Sequence, residues 1–420
     1  MADRLAIGLV GCGGMGHRHL RAYHALTKIG ARDFELAAVW DPRASAAEEA
    51  ADVVEALLGN RPAVYLDHGE LIASGVVDAL DIVTDPSVHH VVAGPALDAG
   101  LHVICEKPLG VTVRACRVIV DAATRSGAVL ATAENYRRDG PNRLARAVLE
   151  HGLLGELHLL VQTDIGGDDN VVISPWRHVR DAGSLALDMG VHYTDIFAYL
   201  LGDLERVEGS MFVAEPNRVL APGTSAPPGI EEVSPGVIRA TGEDSLVALY
   251  ETASGVLVQL AYVPSGPGLR WKQRSIHGRR GSMSVPPDRS GGAVTVQLGD
   301  RILSGSDLRR ELNDFELDGV TAAFFGSHGT EYDLPFDEVD AATIAIELDD
   351  FIRAVRDGRR PEVDGRAGLL AVAAVWGVAE FHADARSVRI ADVADGTIAR
   401  AQEPTDRAIG LLPDTKGVPT

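Results

Sequence analysis

The sequence predicts an α/β chain of two domains: a doubly wound parallel sheet, then an α/β domain built on an antiparallel sheet. Three observations carry this expectation. A glycine-rich turn, Gly11-Cys12-Gly13-Gly14-Met15-Gly16, stands between a short apolar run and a helical segment. Up to Ala133, short apolar runs alternate with helical stretches, as strand–helix–strand crossovers do. Beyond Asn135 the runs lengthen, partly alternate, and follow one another without helices between, as antiparallel strands do. At 420 residues the chain also exceeds one ordinary core. The change of pattern sets domains at 1–134 and 135–420.

Each element follows in order. Ile7, Leu9 and Val10 suit a buried strand, and a helix is expected over Met15–Lys28. Between them Gly11 can make the tight turn. Gly13 and Gly14 carry no side chain, so backbone N–H groups, that of Met15 among them, can approach a diphosphate. Gly16 lets the helix pack against the strand. A dinucleotide diphosphate would then sit at the positive end of the helix dipole. The second strand, Phe34–Trp40, ends at Asp41, where a carboxylate can accept from an adenosine ribose and repel a 2′-phosphate. This favours NAD over NADP, although Arg43 could accommodate that phosphate. Asp41 also suits a helix cap, with Pro42 opening a helix to Leu58. Strands Ala63–Leu66, Ala79–Val83, His102–Cys105 and Val129–Ala133 then alternate with helices Gly69–Ser74, His89–Ala99 and Thr112–Arg125. In such a sheet ligands bind beyond the strand carboxyl ends. That singles out Thr84–Pro86, Glu106–Pro108 and Asn135–Arg137.

In the second domain a helix is expected at Pro141–Glu150. Strands are expected at Leu157–Asp164, Val207–Val213, Ser245–Thr252, Val256–Val263, Arg274–Gly278 and Val294–Leu298. A long helix, Gly183–Leu201, interrupts them. Residues 215–243 hold Pro216, Pro222, Pro227, Pro228 and Pro235, and read as an ordered excursion, a lid or a plain loop. Helices near Ala341–Asp357 and Gly368–Ala383 precede a strand or edge at Arg386–Val393. The tail from Thr397 lacks periodicity and reads as mobile or as reaching a neighbouring subunit.

Composition narrows the function. A formal net charge of −21 argues against nucleic acid and anionic membranes. Three cysteines without metal-ligand or C-x-x-C spacing fit a reducing cytoplasm. Neither a signal peptide nor an apolar membrane-spanning run is seen.

Three constellations could do chemistry. Lys107, at a strand end and stiffened by Pro108, can aim its ammonium at the cleft, or be a surface turn. Asp188 and His192 are four apart on one helical face, so they can touch. A carboxylate beside a histidine prepares a general base, or a structural pair. A metal reading of Asp188, His192 and His178 lacks a third ligand fixed by spacing, and no metal is expected. Asn135, Tyr136, Arg137 and Arg138 sit at the domain junction, as substrate contacts or as an inter-domain hydrogen-bond set.

These features together resemble one family. GCGGMGHRH, TDPSVHH, AGLHVICEKPLG, ENYRR, PWRH, AGSLALDMGVHYTDIFAYLLGD and ELDDFIRAVRDGRRPEVDGRAGLLAVAAVWGVAEF are similar to segments of the glucose–fructose oxidoreductase / inositol dehydrogenase / MocA (Gfo/Idh/MocA) family over nearly the whole chain. The resemblance implies a Rossmann domain followed by an α/β domain whose large open antiparallel sheet forms subunit interfaces, hence a homodimer or homotetramer. It implies an NAD(P)-dependent dehydrogenase or reductase acting on a sugar, glycoside or cyclitol. The family's lysine matches Lys107, and its helical acid and histidine match Asp188 and His192. Thr84, Pro86 and His90 match the nicotinamide side, and Glu106 a cofactor-ribose contact. Arg137, Trp176, Arg177 and Asp188 match substrate contacts. Asp85 departs from the small or hydrophobic residue common before the proline, and Ala182-Gly183-Ser184 from a more glycine-rich turn. On this reading Asp188 keeps His192 basic, His192 takes a hydroxyl proton and Lys107 stabilises the alkoxide. Two other readings stand beside it. One is an NAD-dependent glycosidase or lyase with transient sugar oxidation. The other is a non-catalytic NAD-binding regulator.

Overall fold

The computed structural model describes residues 4–226, 230–384 and 386–413. The first domain is a six-stranded sheet in the order β3-β2-β1-β4-β5-β6, parallel at every pairing. Its strands are β1 (Leu5–Val10), β2 (Phe34–Trp40), β3 (Ala63–Tyr65), β4 (Ala79–Ile82), β5 (His102–Glu106) and β6 (Leu130–Ala133). Helices α1 (Gly14–Lys28), α2 (Ala44–Leu58), α3 (His68–Ala73), α4 (His89–Asp98) and α5 (Val113–Ser126) connect them. Every residue of β4 and β6 is buried, as a sheet covered on both faces requires.

Helix α6 (Gly140–Glu150) leads into the second domain. Its nine-stranded sheet runs β17-β16-β15-β14-β7-β13-β12-β8-β18. The strands are β7 (Leu157–Ile165), β8 (Leu204–Phe212), β12 (Ser245–Thr252), β13 (Leu257–Val263), β14 (Trp271–Gly278), β15 (Gly281–Val285), β16 (Thr295–Leu298), β17 (Arg301–Leu303) and β18 (Val388–Arg389). Neighbours are antiparallel except β7 and β13. The successive strands β13 and β14 run in opposite directions, and β7 lies between them, so it must be parallel to one of the two. Helices α7 (Leu185–Leu201) and α11 (Gly365–Asp384) cover one sheet face. They cross closely: a Cβ added at Gly190 would lie 2.8 Å from Val375 Cγ2. The other face stays open, with Val247, Leu249 and Leu257 exposed.

Three expectations need correction, and of the readings of residues 215–243 the ordered excursion holds. Residues 215–243 are not a plain loop. They form a small sheet, β9 (Asn217–Val219), β10 (Glu232–Ser234) and β11 (Val237–Arg239), anchored by the fully buried Arg218 on Asp244. Pro227 and Pro228 lie outside the described residues. The segment Arg386–Val393 is only the two-residue β18 before helix α12 (Ile390–Ala394). The described part of the tail does not leave the chain: α13 (Glu403–Ala408) docks on the start of α5, where Asp406 accepts from Thr112 Oγ1 at 2.6 Å and Gln402 from the Val113 N–H at 2.8 Å. Finally, α2 starts at Ala44, so Pro42 lies outside it and Asp41 does not cap it. Between β17 and α11 come α8 (Gly305–Glu311), α9 (Gly319–Phe325) and α10 (Phe336–Asp357). The apolar side of α10 joins the first-domain core, with Ile344, Leu348 and Phe351 against residues of β1 and α1. Among the described residues no helix is long and apolar enough to cross a membrane.

Candidate active site

The glycine turn has the shape a diphosphate needs. Gly11 has φ +104°, open to glycine at little cost, and a Cβ at Gly16 would meet Gly11 O at 2.3 Å. A Cβ at Gly13 or Gly14 would meet nothing within 4 Å, so backbone alone borders open space there. The N-terminus of α1 has no side-chain cap, which leaves its amides for an anion. The turn therefore fits a dinucleotide. The buried Asp41 carboxylate accepts from the Cys12 N–H (3.0 Å), which ties it to the turn. It also accepts from the backbone N–H of Arg43 (2.9 Å), whose side chain is exposed.

The ends of β4 and β5 form the next wall. Asp85 accepts from the Ser87 N–H at 2.9 Å and caps the turn Pro86–Val88, which accounts for an acid at this position. His89, given no role in the sequence reading, lies between Thr84 O (3.2 Å) and Pro108 O (3.1 Å); burial favours its neutral ring, whose single N–H donates to one of these two carbonyls. The neighbouring His90 is buried, its Nδ1 without a partner. Glu106 turns inward, toward His19 and its own neighbour's N–H, Lys107 N (2.8 Å). The Lys107–Pro108 peptide is cis.

Helix α7 supplies the opposite wall, started by Ser184, whose hydroxyl accepts from the Leu187 N–H (3.3 Å). Here the expected Asp188–His192 pair does not form. Asp188 Oδ1 accepts from Lys107 Nζ at 2.9 Å and Oδ2 from Arg177 Nε at 2.8 Å. An ammonium and a guanidinium, each within 3 Å, occupy both carboxylate oxygens and leave none for the imidazole. Burial opposes ionisation of Asp188, yet Lys107 and Arg177 hold its carboxyl down to about 2. The partner of His192 is instead Glu134, just past β6, with Nδ1 2.7 and 2.8 Å from its two oxygens. The imidazole stacks on Tyr136, centroids 4.0 Å apart and planes 2° apart. Burial, then the Lys107 charge, keep His192 well below the usual histidine range, so its ring is neutral. With Glu134 accepting at Nδ1, Nε2 is the basic atom. The arrangement can take a proton at Nε2 and offer a cation at Lys107.

The other expected substrate contacts divide. Trp176 lies under the Arg177 guanidinium (4.1 Å) and 3.6 Å from where a Gly183 Cβ would stand, beside Pro86. Asn135 is buried with its Oδ1 unpartnered. Arg137 is ion-paired with Asp195, about one turn beyond His192 on α7, and lies over Tyr199 (5.1 Å), lining a cavity of about 620 Å³. His178 Nε2 accepts from the Val172 N–H, so it does not join Asp188 and His192 around an ion. Glu134 is the residue at His192 to which the sequence reading gave no role. Its position directly after a strand was the available signal.

Comparison with known proteins decides the family. Residues 5–134 match the oxidoreductase family with NAD-binding Rossmann fold, and residues 142–284 match the GFO/IDH/MocA C-terminal domain. The chain belongs to the GFO/IDH/MocA oxidoreductase family. It is an NAD(P)-dependent oxidoreductase. It is 29% identical over 291 residues to levoglucosan dehydrogenase of Pseudarthrobacter phenanthrenivorans, covering 67% of this chain and 73% of that protein. Inositol 2-dehydrogenase 2 of Saccharopolyspora erythraea is 30% identical over 285 residues, with 67% and 73% covered. A structure of levoglucosan dehydrogenase with NADH and L-sorbose has a TM-score of 0.75 at 22% identity, covering 93% of this chain and all of that one. At that identity it shows the fold.

Proposed function

We propose that this GFO/IDH/MocA protein moves hydride between NAD, in preference to NADP, and a secondary hydroxyl of a sugar, glycoside or cyclitol. The observation that carries the reading is the pair of contacts across the domain boundary, Lys107–Asp188 and Glu134–His192. They hold an ammonium and a neutral imidazole on neighbouring turns of α7. Bound nicotinamide dinucleotide supplies the hydride acceptor. His192 Nε2 receives the hydroxyl proton, with Glu134 fixing the tautomer through Nδ1. Lys107 donates a charge-assisted hydrogen bond to the substrate oxygen as negative charge develops. In the reverse direction the same groups protonate a ketone. Thr84, Pro86 and His90 would border a bound nicotinamide, and Asn135, Trp176 and Arg177 would meet substrate hydroxyls. Support for the substrate class comes from relatives named for levoglucosan and inositol. Support for NAD comes from Asp41, fixed at the end of β2 by the glycine turn.

The test is a panel of hexoses, glycosides and inositols with NAD and NADP, followed by nicotinamide absorbance. Net NADH formation supports the reading; aglycone release without net NADH overturns it. Lys107→Ala and His192→Ala should each lower kcat by roughly 10²–10⁴-fold, the usual worth of general acid–base help, while NAD binding is kept. Retention of most activity in either variant sinks the assignment.

A further inference from the structure

Beneath the glycine turn lies a buried group of ionisable side chains that the proposed reaction does not use. His19 on α1 is fully buried, with Nδ1 2.9 Å from Asp81 Oδ2. Tyr23 donates to the same Asp81 oxygen at 3.1 Å. This fixes the Nδ1 proton toward Asp81 and turns Nε2 to Glu106 Oε1, 3.3 Å away. The third member comes from the other domain. Glu347 of α10 is 2% exposed, and neither of its oxygens has a hydrogen-bond partner. One ligand atom from each of His19, Glu106 and Glu347 lies within 4.8 Å of the other two.

Three features of this group point the same way. A buried carboxyl group without a partner either holds a proton or is joined by a cation. The arginines that bear on Glu347 or adjoin the cluster are engaged elsewhere: Arg18 on Asp340, and Arg138 on Asp350 and Glu362. The 3.3 Å between Nε2 and Glu106 is long for a charged hydrogen bond. It matches the spacing of about 3.3 Å between two ligands of a tetrahedral ion with bonds of about 2.0–2.1 Å. Asp81 stands where an outer-shell carboxylate orients a metal-bound histidine.

We propose that His19, Glu106 and Glu347 bind one divalent transition-metal ion, with Asp81 orienting His19 from the second layer. One imidazole and two carboxylates suit zinc or manganese. His19 gives up its Nε2 proton on binding. The ion fastens α10 to the cofactor helix and to the strand end carrying Lys107. It has a structural role, since all three residues that hold it are buried.

Elemental analysis of the purified full-length protein, dialysed against metal-free buffer, is the direct test. About one zinc or manganese per chain is expected, falling at least tenfold in Glu347→Gln and in His19→Gln. Chelation with dipicolinate should lower the melting temperature of the natural protein and leave that of Glu347→Gln unchanged. A natural protein that carries no metal, even after refolding with zinc or manganese chloride, overturns the proposal whatever the variants do. So does a Glu347→Gln protein that keeps its metal. So does one that melts at or above the natural protein, because the Glu347 carboxyl then holds only a proton.

Discussion

Glu134 and Asp188 are both buried carboxyl groups at the cleft, yet their surroundings drive them in opposite directions. Asp188 faces two cations and stays ionised. Burial pushes Glu134 up to about 7, with Lys107 and Arg137 opposing and Glu106 assisting the rise. Once ionised, Glu134 accepts a hydrogen bond from the Nδ1–H of His192 and leaves Nε2 free. The rate of alcohol oxidation should therefore climb as pH rises through about 7. In Glu134→Gln that climb should vanish and kcat fall roughly 10²–10⁴-fold, as when an orienting carboxylate is lost. An unaltered pH–rate profile would remove Glu134 from the mechanism. For Asp188 the folded value, about 2, lies below the ordinary 3.8. Its contribution to stability is present above pH 4 and lost as pH falls toward 2, about 2 kcal/mol in all. Denaturant melts of the natural protein and Asp188→Asn should converge over that interval. The sequence showed Asp188 and His192 on one helical face, and that is where they lie. What it could not show was the competition for them, since Lys107 and Glu134 reach α7 only through the fold.

At the level of elements, sequence pattern succeeded where burial is periodic. The parallel strands and their helices stand within a few residues of expectation because both faces of the sheet are covered. The tail was missed because α13 has six residues and is held by polar contacts rather than an apolar stripe. Removing residues 399–420 should leave the buried Thr112 hydroxyl and the Val113 amide without these acceptors. A drop in melting temperature with the Rossmann sheet still folded is the expected result. The crossing of α7 and α11 gives a second handle. Gly190→Ala puts a methyl 2.8 Å from Val375. It should cost about 1–3 kcal/mol, read as a lower urea midpoint at constant slope.

Over the whole molecule, the second sheet wears two faces. Alternation along β12 buries one side under α7 and α11 and exposes Val247 and Leu249 on the other, with Leu257 of β13 nearby. We propose this open face as the seat of a homodimer or homotetramer. Leu249→Glu should then halve the mass seen by light scattering without altering the circular dichroism, while an unchanged mass would exclude this face. Sequence alternation made this surface legible. It did not reveal that α10, far along the chain, packs into the first-domain core. Such a long-range return leaves no local signal.

The two contacts that join Lys107 to Asp188 and Glu134 to His192 have a consequence for inheritance. Each pair has one member before residue 135 and one after it. A recombinant that kept the first half and borrowed the second from a distant relative would keep Lys107 and Glu134 but exchange the residues they pair with on α7. Exchange of a whole domain therefore puts both contacts at risk at once.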